Sequence, residues 1–392
     1  MKRQDWIVLG AFIMVIGLGA GIVVGRAARA AGSSTAQSPR VKGIDRAQIQ
    51  KAGLSMVEAS WFDRLANGTV RCELCPWLCT LRPGERGFCK VRTNIDGTLY
   101  LLVYGRLAAM HVDPIEKKPL FHFLPGARAL SIATAGCNLS CAFCQNWSIS
   151  QIYPEDAQTE ALTPEQVVDL AKEQGCQVIA YTYNEPTVFY EFMLECAKLA
   201  HKAGIRNVWV TAAYINPGPL RELAKVLDAA NVDIKAMRDD YYRRYCDGSL
   251  QPVLLATKIL KEEGVYVEIT NLVVPGGNDS DQDLHALTMW IGQELGPDTV
   301  LHFSRYFPAY RMEQPGPTPL SSLLTAHKIA MQDGLRYVYV GNVSEADLED
   351  TVCPSCGKVL IHRQGFEIDW PTFGIVNGAC KYCGTKIRGV WK

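Results

Sequence analysis

The stretch Gly136-Cys137-Asn138-Leu139-Ser140-Cys141-Ala142-Phe143-Cys144-Gln145-Asn146-Trp147 sets three cysteines in C-x3-C-x2-C spacing. It directly follows a short β-rich run, Leu130-Ser-Ile-Ala-Thr134, so the cysteines fall on a loop that begins where a strand ends. Three thiolates from one loop suit a 4Fe-4S cluster whose fourth iron is left open to a small molecule. A structural zinc ion would require a fourth ligand close by.

Downstream of that loop, β-rich runs alternate with helical patterns. Val178-Ile-Ala-Tyr-Thr-Tyr183, Val208-Trp-Val-Thr211, Val232-Asp-Ile-Lys235, Val265-Tyr-Val-Glu-Ile-Thr270 and Val300-Leu-His-Phe-Ser-Arg305 bring the strands to six. Thr163-Pro164-Glu165-Gln166 supplies an N-cap, a proline at N1 and a glutamine at N3 for one intervening helix. Glu185-Pro186 opens another, and further patterns run near residues 219–230, 252–263, 281–295 and 319–333. The alternation predicts an α/β fold, a partial (β/α)6 TIM-type barrel with chemistry on the loops after the strands' C-terminal ends. A doubly wound open sheet is the competing architecture, since strand order is not written in one sequence.

Of the fourteen cysteines, most fall in tight groups, which suits metal ligation in a reducing compartment better than a disulfide framework. Cys353-Pro-Ser-Cys356-Gly and Cys380-Lys-Tyr-Cys383-Gly read as the two knuckles of a zinc ribbon with no open position. Cys72, Cys75, Cys79 and Cys89 form a second set of four, suited to zinc or an auxiliary iron–sulfur cluster, with zinc preferred. Cys176, Cys196 and Cys246 stand alone and read as core thiols. The run Asp113-Pro-Ile-Glu116-Lys117-Lys118-Pro-Leu-Phe-His122 is either a solvated loop or part of the active site.

At the N-terminus, an uncharged apolar run from Trp6 to Gly25 is long enough to cross a bilayer. It is expected to be an uncleaved anchor rather than a signal peptide, although Ala28-Arg29-Ala30 resembles a cleavage site. Arg26, Arg29, Arg40, Lys42 and Arg46 follow it, which places the rest of the chain in the cytoplasm. The expected organisation is an anchor over residues 1–30, a linker over 31–60 and a cysteine-rich segment over 61–128. The barrel follows over 129–345 and the ribbon-like tail over 346–392.

The cysteine triad resembles that of the radical S-adenosylmethionine (SAM) superfamily, in its pyruvate formate-lyase-activating branch. The chain looks most like the radical SAM member of the AmmeMemoRadiSam system, through Cys72-Glu-Leu-Cys-Pro-Trp-Leu-Cys79, Asp113–Phe123, Tyr181-Thr-Tyr-Asn-Glu-Pro-Thr187, Asp233-Ile-Lys235, Val274-Pro-Gly276 and His302-Phe-Ser-Arg-Tyr306. The resemblance implies that a cluster on Cys137, Cys141 and Cys144, reduced by a low-potential donor, cleaves SAM to a 5′-deoxyadenosyl radical that takes hydrogen from a substrate. It also implies that Tyr183-Asn184-Glu185-Pro186 stands where the superfamily carries Gly-Gly-Glu, with Glu185 accepting from the SAM amino group.

Further candidates for SAM or substrate are Asp233 and Lys235, two apart on one strand and so facing the same way. Their alternative is a plain buried ion pair. His302, Asn271, Pro275 and Gly276 end neighbouring strands, where a satisfied core histidine and a simple turn are the alternatives. The substrate class is open, a glycyl-radical partner protein among the options. Lys plus Arg and Asp plus Glu both number 40, so no basic excess favours nucleic acid. A membrane-tethered metal-binding scaffold and a nucleic-acid-modifying radical SAM enzyme are the competing functions.

Overall fold

Short β-branched and aromatic runs that bury both faces cannot stand alone, and here they assemble edge to edge into one sheet. The computed structural model describes residues 41–344 and 346–392. The strands of the main sheet are β1 (Arg106–Pro114), β2 (Arg128–Thr134), β3 (Glu160–Ala161), β4 (Val178–Tyr181), β5 (Arg206–Thr211), β6 (Ala229–Asp233), β7 (Tyr266–Val273), β8 (Leu301–Arg305) and β9 (Val338–Gly341). Their order across the sheet is β9-β8-β7-β6-β5-β4-β2-β1-β3. All neighbours from β2 to β9 pair in parallel, whereas β1 pairs antiparallel with both β2 and β3.

Each parallel crossover carries a helix. These are α1 (Pro164–Glu173), α2 (Tyr190–Lys202), α3 (Pro217–Ala224), α4 (Leu250–Glu262), α5 (Asp281–Trp290) and α6 (Leu320–Gln332). Because parallel crossovers are right-handed and the order never reverses, every helix lies on the same side of the sheet. The other side curls round an interior, which excludes the doubly wound alternative. Helix α1 starts as its sequence implies: Thr163 accepts from Gln166 N at 3.3 Å, and Gln166 returns the bond to Thr163 N at 2.8 Å.

The sheet has one more parallel strand than the six expected, β9, supplied by Val338-Tyr-Val-Gly341. Folded structure also reaches back into residues 41–60, which composition placed in the linker: Arg46–Lys51 is a helix capped by Asp45, and Val57–Glu58 pairs with Tyr100–Leu101. The expected anchor over residues 1–30, its cytoplasmic placement of the chain, and the linker up to Arg40 rest on residues outside those described. Among the described residues, no helix is long and apolar enough to cross a membrane.

The segment after β1 closes one end of the interior. Ile115, Leu120 and Phe123 pack against Ala129, Val178, Ala180, Val208 and Ala229, which stand at or near the N-terminal ends of their strands. The charge run Asp113–His122 is therefore an internal plug and not a solvated loop: Glu116 and Lys118 are each only 2% exposed. Burying such charges requires partners. Lys118 Nζ lies 2.6 Å from Asp113 Oδ2 and 4.5 Å from the centre of the Tyr183 ring.

Candidate active site and metal centres

Strand β2 ends at Thr134, and the chain turns into the loop at Gly136, whose φ of +90° is cheap only for glycine. A Cβ there would also lie 2.6 Å from the Cys89 carbonyl oxygen. The loop that follows is pinned through its backbone. Ser140 N donates to Cys246 O at 2.9 Å, Ala142 N to Tyr245 O at 2.7 Å, and Trp77 Nε1 to Asn138 O at 2.8 Å. Leu139 and Phe143 bury beneath it. Cys137, Cys141 and Cys144 are left on the wall of one cavity. Burial raises the thiol pKa of Cys137 and Cys144, and a hydrogen bond to Cys246 together with burial raises that of Cys141. Thiolates form here when a metal centre displaces the protons.

The cavity, of about 490 Å³, opens at the C-terminal ends of the strands and is of small-molecule size. Asn184, Glu185, Asp233, Lys235 and His302 all reach its wall, so sequence candidates from three different strands, β4, β6 and β8, are brought together with the triad. Asp233 and Lys235 form an ion pair at 2.7 Å, only partly buried and facing the same space. Asn271, Pro275 and Gly276 do not line it. Asn271 instead donates to Ile234 O at 2.8 Å, and Gly276 N donates to Asp279 in a turn.

Both carboxylate oxygens of Glu185, the residue that the resemblance sets to accept from the SAM amino group, already have donors within the protein. They accept from Thr187 N at 3.1 Å and its hydroxyl at 2.7 Å, from the Thr211 hydroxyl at 2.8 Å and from Ala212 N at 2.7 Å. Glu185 thus ties the ends of β4 and β5 together. The free acceptor is its neighbour: Asn184 donates to Thr134 O and Gly136 O, while its Oδ1 is buried without a partner. Thr270 Oγ1 is a second unpartnered polar atom on the same wall.

His302 is likewise held from behind, its Nε2 lying 2.6 Å from Glu268 Oε2. Glu268 is fully buried and also accepts from Phe121 N at 3.0 Å and His122 N at 2.8 Å. Burial alone would raise its carboxyl pKa, but the bond from His302 and the charge of both histidines hold it below the usual value. This is the pattern of an oriented core histidine. Arg305 faces elsewhere, its Nε donating to Thr318 O at 2.8 Å.

Sequence reasoning missed Glu268 and Tyr183. A carboxylate inside the apolar run of β7 was the available signal for the first. Tyr183 holds φ at +69°, unusual for a bulky residue, while its hydroxyl donates to Asp113 at 2.6 Å. Strain of that kind concentrates at functional sites. Asp113 also accepts from Lys117 and Lys118; burial opposes ionisation, but these bonds hold its carboxyl well below the usual range.

The tail holds a different arrangement. Cys353 and Cys383 sulfurs lie 3.6 Å apart and those of Cys356 and Cys380 3.8 Å, with all four within 4.8 Å of one another. Tetrahedral thiolates at about 2.3 Å from one ion would be about 3.8 Å apart. The tail is clamped to the plug: Arg363 Nη2 donates to Phe121 O at 2.7 Å, and Val390 N donates to His122 O at 2.7 Å. From this tail, Glu349 and Phe366 reach the cavity wall. Cys72, Cys75, Cys79 and Cys89, far apart in sequence from the triad, surround a separate pocket beside its loop.

A three-thiol loop at the C-terminal ends of the strands of a curled parallel α/β sheet defines a class, and the family comparison agrees with it. The model of the radical SAM superfamily matches residues 131–288. The chain belongs to the radical SAM superfamily, whose members carry a 4Fe-4S cluster and SAM. It is 44% identical over 332 residues to the uncharacterized protein MJ0808 of Methanocaldococcus jannaschii, covering 85% of this chain and 99% of that one. It is 27% identical over 171 residues to the pyruvate formate-lyase 1-activating enzyme of Escherichia coli (strain K12), covering 42% of this chain and 68% of that one. A radical SAM methyltransferase from Sphaerobacter thermophilus superposes with a TM-score of 0.44 at 17% identity, over 78% of this chain and 81% of that one.

Proposed function

We propose that this enzyme uses SAM, held beside a cluster on Cys137, Cys141 and Cys144, to abstract hydrogen from a glycine of a partner protein. The observation that carries the cofactor site is the convergence on one cavity of three thiols and of residues with buried polar atoms that lack partners, Asn184 Oδ1 and Thr270 Oγ1 among them. On this reading Asn184 Oδ1 accepts from the SAM amino group, Lys235 meets its carboxylate, and Asp233 with Thr270 faces the ribose. Glu185 fixes the loop that carries Asn184. When bound, the cluster and SAM supply the radical that removes hydrogen. The protein's part is to seat them, exclude water and admit the substrate from the open rim.

The protein substrate rests on the likeness to an activating enzyme whose name assigns it pyruvate formate-lyase. Zinc is assigned to the four tail thiols on their mutual spacing and on the absence of an open position among four cysteine ligands. A one-electron donor of low potential is required as a second partner.

The test is anaerobic reconstitution with iron and sulfide, followed by reduction and addition of SAM. The enzyme is expected to release 5′-deoxyadenosine, and Cys141→Ala to release none. With a candidate partner carrying deuterated glycine, deuterium should enter that product. SAM cleavage without transfer from any glycine would sink the protein-substrate reading while leaving the cofactor site intact.

A further inference from the structure

We infer that Cys72, Cys75, Cys79 and Cys89 hold a second iron–sulfur cluster of the 4Fe-4S type, closed by four protein thiolates, and not a zinc ion. The same chain contains a four-thiol group against which to measure them. In the tail, every sulfur lies within 4.8 Å of the others, as ligands of a single ion must. Among the described residues, that convergence is found in the tail group and not around Cys72 to Cys89. The N-terminal sulfurs instead stand round the wall of a pocket, as ligands of four separate irons would.

Three features of that pocket suit a cluster. Gly87 takes part in the wall, and a Cβ on it would lie 3.6 Å from Cys79 Sγ and 3.8 Å from Cys89 Sγ, filling space beside both sulfurs. Leu74, Leu81 and the stacked rings of Trp77 and Phe88, 4.2 Å apart, enclose the thiols in apolar surroundings. Arg92 is fully buried in the wall. Its two terminal nitrogens pair with Glu191, and its Nε is left without a partner. That leaves a buried cation and a spare donor beside a centre whose thiolates and sulfides are acceptors.

Its position is informative as well. The Cys89 carbonyl approaches Gly136, which immediately precedes the first triad cysteine, and Asn138 of the triad loop lines the four-thiol pocket. The two centres therefore share one loop as a wall. With every iron held by protein, the outer cluster offers no place to SAM or substrate; what it can do is gain and lose one electron.

The triad need not work for this to be tested. The full chain with Cys137, Cys141 and Cys144 all changed to Ala is reconstituted anaerobically with iron and sulfide in the presence of equimolar zinc. The expected result is about four iron and four sulfide per chain, with an electron paramagnetic resonance signal of one reduced cluster. Zinc in place of that iron, or no metal beyond the tail's, would overturn the inference. A variant-free count guards against misfolding: Mössbauer spectra of the wild type should account for about eight irons per chain, and about four would refute the second cluster. Cys75→Ala with Cys79→Ala should halve the wild-type count.

Discussion

The triad loop and the ribbon use the same side chain in opposite ways. In the tail, four sulfurs turn toward one another, each knuckle closed by a glycine at positive φ, Gly357 and Gly384. In the triad loop, three sulfurs turn toward a cavity shared with Asp233, Lys235 and Asn184. Four thiols that meet leave a bound metal no open position, whereas three thiols on a cavity leave one for chemistry. Cysteine spacing alone separates the two poorly, because both sets come from short local motifs.

The contrast can be broken at either end. Cys141→Ala should remove the triad's iron and lower SAM cleavage by at least a thousandfold, with tail metal unchanged by elemental analysis. Cys380→Ala should do the reverse, keeping triad iron while tail metal is lost. Because metal binding there contributes folding free energy, the tail should also become protease-sensitive, with destabilisation of several kcal/mol measured by thermal denaturation. Equal loss of iron in both variants would show that the two centres are not independent.

Between the two regions lies the buried Glu268, which serves the plug and His302 together. Glu268→Gln leaves one acceptor for three donors and should cost about 3 kcal/mol in urea denaturation. The smallest expected effect concerns Glu349, where tail meets cavity. Burial pushes its carboxyl up to about 7, above the ordinary value of 4.5, although Arg363 opposes this. A raised carboxyl pKa means that the folded state holds the proton more tightly. Its stability is fully retained below about pH 4.5 and is lost as pH rises through 7. Discounted for partial solvation, wild type should lose about 1–2 kcal/mol relative to Glu349→Gln between pH 4.5 and 8. Parallel denaturation curves for the two proteins would remove Glu349 from the cavity's electrostatics.

Much of the scaffold was legible in the sequence because it rests on local rules. The six β-rich runs became strands, and the capping box at Thr163 formed as written. Strand β9 was missed because four residues between a helix and the tail give too short a pattern. Strand order was not legible, since pairing depends on distant partners. The same limit explains Glu185. Its place on the rim was readable from Asn184-Glu185-Pro186, but beyond the local donor Thr187 the donors that occupy it sit at Thr211 and Ala212, 26 and 27 positions further on. For Asp113–His122 a solvated loop and a part of the active site stood open together, because Tyr183, which helps bury Asp113, is 70 residues away; Glu116, Lys117 and Lys118 in fact line the cavity.

The plug of Ile115, Leu120 and Phe123 makes the interior a blind well instead of a tunnel. A macromolecule cannot be threaded through it and released on the far side. Whatever reacts must enter and leave by the same side, and the partner protein proposed above would have to present a chain end or a bent loop. Spent cofactor must leave through that same mouth, so exchange of SAM and departure of the modified substrate compete for one doorway.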